Sequence, residues 1–219
     1  MPKHRNIVYG RVLLPRYVVE TCGIGRGTGF TMSIVAMERP LNVRQRLRDQ
    51  LRALAMVSGR EMRLASGRTS DIYFDMKMAM FDPETINLIA DSILGEVKAK
   101  HAAQVGGLEI GAVPIVSAVV CRSFPSHPVR GFFVRKTVKE HGTQKRIEGC
   151  FEAGAATILL DDVTTTGGSV LKAVEAVRSE GCPVEYVVTV VDREEGARDA
   201  LAEARVELIA LYTKSDFRS

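Results

Sequence analysis

The sequence predicts an α/β fold, a mostly parallel twisted sheet flanked by helices, and three observations carry that expectation. From residue 42 onward, short apolar runs alternate with amphipathic helical patterns, as βα units do. One apolar strand, Thr157 to Leu160, ends in Asp161-Asp162 and a hydroxyl- and glycine-rich loop that opens a helix, and ligands of parallel sheets bind at such carboxyl ends. With 219 residues, 46% of them hydrophobic and 26% charged, the chain can hold one domain with a substantial core and some appendages.

Residues 1–37 lack steady periodicity and are expected to form a poorly ordered basic arm ahead of a folded domain, 38–219. Pro15 and Arg16 interrupt Val12-Leu13-Leu14, so no secretory apolar core forms. The glycine-rich run Gly23 to Gly29 has no strand and helix to bracket it and reads as a flexible linker rather than a nucleotide loop. The arm's arginine-rich, acid-poor composition also permits an organelle transit peptide, and Met32 and Met37 offer later starts; these alternatives stay open.

From Asn42 the pattern becomes regular. Val43, Leu47, Leu51 and Leu54 recur at spacings of 4, 4 and 3, which predicts an amphipathic helix ended by Gly59. Glu61 to Ala65 and Ile72 to Met76 read as strands about the turn Ser66-Gly67-Arg68. Asp82 caps the next helix, with Pro83 at its first position and Ile86, Ile89, Ile93 and Val97 as its buried stripe. Leu108 to Ile110 reads as a strand, Pro114 to Cys121 as a helix and Gly131 to Val134 as a strand leading into a polar loop. After the Thr157 strand come a helix from Val170 to Glu180, a strand from Val184 to Val191, a helix from Glu194 to Ala204 and a closing strand from Val206 to Tyr212.

No apolar run reaches the 18 or so residues of a membrane helix, so no membrane partner is expected. Cys22, Cys121, Cys150 and Cys182 are scattered, form no CxxC and read as free thiols of a reducing, cytoplasmic compartment. The net charge of +4 belongs to the arm, where Lys3, Arg5, Arg11, Arg16 and Arg26 oppose Glu20 alone. The remainder is neutral overall, which argues against nucleic acid as a partner of the folded domain.

The most informative stretch is Asp161-Asp162-Val163-Thr164-Thr165-Thr166-Gly167-Gly168-Ser169. Loop amides and a helix N-terminus face an anion well, and the two glycines permit close backbone approach. No Gly-Lys-Ser/Thr closes the loop, so it is not a P-loop. An ionised carboxylate accepts from two hydroxyls, which suits a ribose diol. Phosphate plus diol points to a phosphoribosyl group. The bland alternative is a tight strand-to-helix turn with exposed acids. A second block, Arg135 to Glu148, sets five Lys/Arg and His141 against two Glu, suited to covering a polyanion; a solvated charged hairpin is the alternative.

The diacid loop resembles the 5-phosphoribosyl-1-diphosphate (PRPP) signature of type I phosphoribosyltransferases. Arg135-Lys136-x-x-Lys139-x-His141-Gly142 resembles the catalytic loop of the orotate phosphoribosyltransferase family, and Ser66-Gly67-Arg68-Thr69-Ser70 and Val191-Asp192-Arg193-Glu194-Glu195-Gly196 match that family in order and spacing. The resemblance covers roughly residues 42–215. It implies a type I phosphoribosyltransferase fold with a small N-terminal hood and a mobile catalytic loop. It further implies a homodimer in which Arg135 and His141 reach the neighbouring subunit's site. Lys136 and Lys139 resemble diphosphate contacts, and Asp161, Asp162, Val163, Thr164, Thr165, Thr166, Gly167, Gly168 and Ser169 correspond to the PRPP loop. Lys139, His141, Asp161 and Asp162 are the implied catalytic set. Thr165 and Arg193 resemble the orotate contacts, with Tyr73 and Phe74 as the aromatic pair near the base. From the residues alone, the alternative for Arg193 is a surface salt bridge with Glu194 or Glu195, and Tyr73 and Phe74 as isolated strand residues would be core by default.

Two departures from one branch of the family stand out. Ala65 occupies the place of a lysine before Ser-Gly-Arg, and Gly111-Ala112-Val113-Pro114-Ile115-Val116 lacks that branch's Tyr-Lys pair. Diphosphate contacts are then expected to rest on the mobile loop, on backbone amides and on Mg²⁺. The expected reaction is orotate plus PRPP to orotidine 5′-monophosphate and diphosphate, in pyrimidine (UMP) biosynthesis. Mg²⁺ is the expected cofactor, held mainly by PRPP and water rather than by a protein cage. Alternatives are a PRPP-sensing regulatory nucleic-acid-binding protein of the same fold and a purine phosphoribosyltransferase; the complete basic loop argues against the latter.

Overall fold

The computed structural model describes residues 8–14, 17–23, 31–35, 42–63, 69–137 and 146–218, with side chains described over 42–57, 72–137 and 146–218. The chain divides into two units, Met1–Val43 and Arg44–Ser219.

The first unit corrects an expectation. In place of a stretch without regular structure it carries β1 (Val8–Leu14), β2 (Tyr17–Gly23) and β3 (Thr31–Val35), an antiparallel sheet in the order β1-β2-β3. β-Branched and aromatic residues such as Val8, Tyr9, Val12, Tyr17, Val18 and Val19 favour extended backbone, and Pro15-Arg16 falls at the first connection. All of the predicted Gly23–Gly29 linker except Gly23 lies outside the described residues.

The helix α1 (Val43–Leu54), which but for its first residue belongs to the second unit, forms as its 4-4-3 spacing predicts, with Leu47 and Leu51 fully buried. It stops five residues before Gly59. The strand β4 (Met56–Arg63) runs through that glycine and pairs antiparallel with β5 (Thr69–Phe74), with a register break between Ser58 and Met62. Strand pairing, rather than the glycine, therefore sets the helix end. Ala65 and the Ser66-Gly67-Arg68 turn lie outside the described residues. The strand predicted to Met76 gives way to a short helix, α2 (Met76–Phe81), because the Asp75 carboxylate accepts from the Lys77 amide and caps it. Next comes α3 (Pro83–Ala99), in which Asp82 accepts from Thr85 N at 2.8 Å and Thr85 Oγ1 at 2.7 Å, and Ile89, Ile93 and Val97 are fully buried.

The remaining elements are β6 (Gln104–Gly106), α4 (Ala112–Ser123), β7 (Arg130–Val134), β8 (Ile147–Gly149), β9 (Thr157–Thr164), α5 (Gly168–Ser179), β10 (Val184–Asp192), α6 (Ala197–Glu203), β11 (Glu207–Thr213) and a 3₁₀ turn, Lys214–Phe217. Leu108–Ile110 is not the strand expected; Gly107 to Gly111 forms the turn between β6 and α4, and Leu108 makes only an isolated bridge to Val134. The sheet order is β11-β10-β9-β6-β7-β8, parallel except for the antiparallel edge pair β7–β8.

Burial on both sheet faces explains why the central strands read as unbroken apolar runs. Ile158 and Leu160 of β9 pack into a core with α1 to α4, while Leu159 packs into a second core with α5 and α6. Each such fully buried Leu or Ile contributes about 1.5–3 kcal/mol relative to exposure. That two-sided packing fixes the carboxyl end of β9, where helices from opposite faces meet.

Candidate active site

The strand β9 runs further than its apolar segment suggests, through Asp161, Asp162 and Val163 to Thr164. Pairing explains this: Asp161 lies opposite Thr189 and Thr164 opposite Asp192 on β10, so the acids are held in the ladder rather than on a loop. Both aspartates are half-buried. Burial pushes the Asp161 carboxyl well above the usual carboxylate range, and the charge of Asp162 pushes it the same way. Burial likewise raises Asp162, opposed by its hydrogen bonds with Val163, within its own backbone and with Asp161, and by the charge of Lys77. The Asp161 carboxylate also accepts from the Asp162 amide at 3.2 Å. Two crowded carboxylates that resist ionisation are suited to a ligand that brings hydroxyl donors or a cation.

Beyond Thr164 the chain turns sharply. Gly167 sits at φ +82°, where a side chain would be strained and its Cβ would come within 3.3 Å of Ala197 Cα. Its carbonyl accepts from Leu171 N at 2.9 Å, so the amides of Gly168, Ser169 and Val170 have no intrahelical acceptor at the start of α5. Thr166, Gly168 and Ser169 are exposed there. Donors and helix dipole together make an anion seat.

Not every predicted loop residue faces that seat. Val163 packs against the core. Thr164 is buried and its hydroxyl lies 3.4 Å from Asp192 Oδ1. Thr165 is half-buried and its carbonyl accepts from Ala197 N at 3.1 Å. Arg193 N donates to Thr164 O at 2.9 Å, which ties the Asp192-to-Gly196 turn to the anion loop.

Arg193 itself is 4% exposed and forms an ion pair with Glu195 at 3.1 Å. The predicted salt bridge therefore exists, but buried rather than at the surface. Arg193 Nε and Glu195 Oε2 are both buried without a hydrogen-bond partner. The guanidinium lies 5.8 Å from the centre of the Tyr73 ring. Phe74, expected beside the base with Tyr73, instead turns to the core and meets Phe217 edge-on at 5.0 Å, because successive strand residues face opposite ways. Tyr73 and Arg193 thus come together, and Phe74 does not join them.

The basic block rises from β7. Arg135 N donates to Arg146 O at 2.9 Å, and the Arg135 side chain pairs with Glu148 at 3.9 Å, so the stem is that of a hairpin. Lys136 N donates to Glu109 Oε1 at 2.8 Å, which ties the root of the loop to the Gly107–Gly111 turn. Lys139 and His141 lie outside the described residues. A Cβ on Gly111 would come within 2.6 Å of Asp162 Oδ1, so this turn approaches the diacid as closely as backbone allows. Sequence reasoning missed Glu109 and Lys77, and it named Glu195 only as a salt-bridge partner and Gly111 only within a segment lacking a Tyr-Lys pair; the Gly-Gly-x-x-x-Gly run ahead of α4 hinted at a close approach.

No protein-family model matches the chain. An orotate phosphoribosyltransferase of Rhodopseudomonas palustris (strain BisB5) is 46% identical over 179 residues, covering 80% of this chain and 95% of that protein. One from Methanosarcina acetivorans is 42% identical over 173 residues, covering 79% and 90%. The crystal structure of Mycobacterium tuberculosis H37Rv orotate phosphoribosyltransferase in complex with Fe(III) dicitrate superposes with a TM-score of 0.71 at 34% identity, over 81% of this chain and 99% of that one. The same enzyme in complex with PRPP gives 0.67 at 31% identity, over 80% and 98%. At 46% identity over nearly the whole length of the Rhodopseudomonas palustris protein, the chain belongs to the orotate phosphoribosyltransferase family.

Proposed function

We propose that the second unit, a pentosyltransferase by family, transfers the 5-phosphoribosyl group of PRPP to orotate through the residues just described. The observation that carries the residue assignment is the meeting, at one strand end, of an anion seat and a half-buried carboxylate pair. The amides of Gly168 to Val170 hold the 5′-phosphate. Asp161 and Asp162 accept from the ribose hydroxyls. Cleavage of the C1–diphosphate bond builds oxocarbenium character, and the carboxylates stabilise it electrostatically across the ring. Arg193, aimed by Glu195, pairs with the orotate carboxylate, and the Tyr73 ring flanks the base.

The leaving diphosphate takes its cover from Lys136, Lys139 and His141, with His141 as the donor of a proton to a departing oxygen. These three rest on the family resemblance, which also gives a homodimer whose loops cover the partner's site. The diacid fits Mg²⁺, since its oxygens are hard acceptors and its crowded charge is relieved by a cation. The ion would be held mainly by PRPP and water beside these carboxylates, and when bound it neutralises diphosphate charge. Among the described residues no helix is long and apolar enough to cross a membrane, and we place the enzyme in the cytoplasm.

A panel of orotate, uracil, adenine and hypoxanthine, each with PRPP and Mg²⁺, tests the reading through diphosphate release. Orotate alone should support rapid release. Preference for uracil or a purine would overturn the substrate while leaving phosphoribosyl transfer in place.

A further inference from the structure

The Lys77 side chain is 75% exposed in the first turn of α2, whose Met76 and Ala79 share a core with Ala112, the residue after the Gly111 that abuts Asp162. Its Nζ donates to Asp75 Oδ1 at 2.9 Å. That hydrogen bond raises the Lys77 ammonium above its usual range, and the charge of Asp162 acts in the same direction. Arg193 is buried in its pair with Glu195, whereas the Lys77–Asp75 pair is largely exposed and open to a ligand.

The order of groups along the site says what Lys77 meets. The anion seat belongs to α5, on one face of the sheet; α2 and α4 pack on the other. Asp162 lies between, against Gly111. In a 5-phosphoribosyl group the diol separates C5 from C1. With the 5′-phosphate on α5 and the diol on the carboxylates, the C1 substituents fall on the α2–α4 side. Tyr73, four residues before Lys77, already marks the base beside Arg193 there. The other C1 substituent is the diphosphate.

We infer that Lys77 is a diphosphate-binding residue, reaching over Asp162 to the C1 phosphates of PRPP. This rests on the phosphoribosyl reading above. It supplies from α2 a cation that the Gly111–Val116 segment lacks. Asp75 holds the ammonium in the absence of ligand and releases part of its donor set when the phosphates arrive.

The test uses the full-length protein with Lys77→Ala and Lys77→Arg. Steady-state kinetics vary PRPP and orotate separately, and titration measures binding of magnesium diphosphate and of ribose 5-phosphate. Losing a charged hydrogen bond should raise the PRPP KM and the magnesium diphosphate Kd about 10-fold or more in Lys77→Ala. The orotate KM and the ribose 5-phosphate Kd should stay within about 2-fold, since neither ligand carries a C1 phosphate. Lys77→Arg should recover most of the loss. Unchanged diphosphate binding in Lys77→Ala, or an equal loss for ribose 5-phosphate, would overturn the inference. If the unmodified protein fails to join PRPP to orotate, the parent reading falls, and the magnesium diphosphate titration still decides the role of Lys77.

Discussion

Asp161 and Asp162 carry two consequences that pull in opposite directions. In the proposed mechanism their charge serves the ring hydroxyls and the developing cation, so Asp161→Asn with Asp162→Asn should cut turnover at least ~100-fold while the fold persists. The same charge is uncomfortable in the free protein. Burial holds the Asp161 carboxyl above its ordinary value of 3.8, with Asp162 adding repulsion. Between that ordinary value and the raised one, the folded state binds more protons than the unfolded chain. Stability therefore falls as pH rises through that window, the reverse of a salt-bridged aspartate. Asp161→Asn should accordingly melt higher than the unmodified protein near about pH 7.5, and the gap should close toward about pH 4. Thermal melts of both proteins across that range check it; a gap that widens on acidification would contradict the assigned burial. Arg193 makes a second case. Removing it strands the Glu195 carboxylate, so Arg193→Ala is best paired with Glu195→Gln. That double variant should lose about 2–4 kcal/mol in kcat/KM for orotate and much less for PRPP, measured with each substrate varied in turn.

The start of α5 shows how one turn divides labour between adjacent glycines. Gly167 is required by backbone geometry, whereas a Cβ on Gly168 meets nothing closer than Thr166 Oγ1 at 3.8 Å. Gly167→Ala should therefore cost about 1–2 kcal/mol of stability, visible in a denaturation curve. Gly168→Ala should leave the curve nearly unchanged yet weaken ribose 5-phosphate binding, because its methyl enters the anion seat. Equal stability losses would remove the distinction. These glycines were legible from the sequence because a strand, two acids, hydroxyls, glycines and a helix follow in an order that builds an anion site. The helices α1 and α3 were legible by period and cap. The helix α2 was not: six residues are too few to show a period, and Met76-Lys77-Met78 reads as easily as strand. The end of β9 was misplaced because pairing to β10 overrides the polarity of the diacid. Lys77 and Glu109 were not singled out, since nothing in a lone charge announces what it meets: Glu109 accepts from Lys136, 27 residues away.

At the scale of the whole molecule, the two-sided core and every described site residue belong to the unit Arg44–Ser219. The diacid, the anion seat and the Tyr73–Arg193 pair stand at strand and helix ends, while Arg135 and Lys136 follow β7 on a hairpin stem at the β7–β8 edge of the sheet. A two-fold dimer can place each such loop over the partner's diacid. Complementation tests whether it does. Asp162→Asn disables the body of a site, and His141→Ala disables the loop, so each homodimer alone should be nearly inactive. In a mixed dimer with shared sites, one site receives both defects and the other receives neither. Random exchange of equal amounts should then restore about a quarter of the unmodified activity. With unshared sites every site keeps one defect, and mixing restores nothing. Subunit exchange can be verified independently by mixing protomers of different mass. Absence of recovery after that verification would confine each loop to its own subunit and leave the chemistry of the diacid untouched.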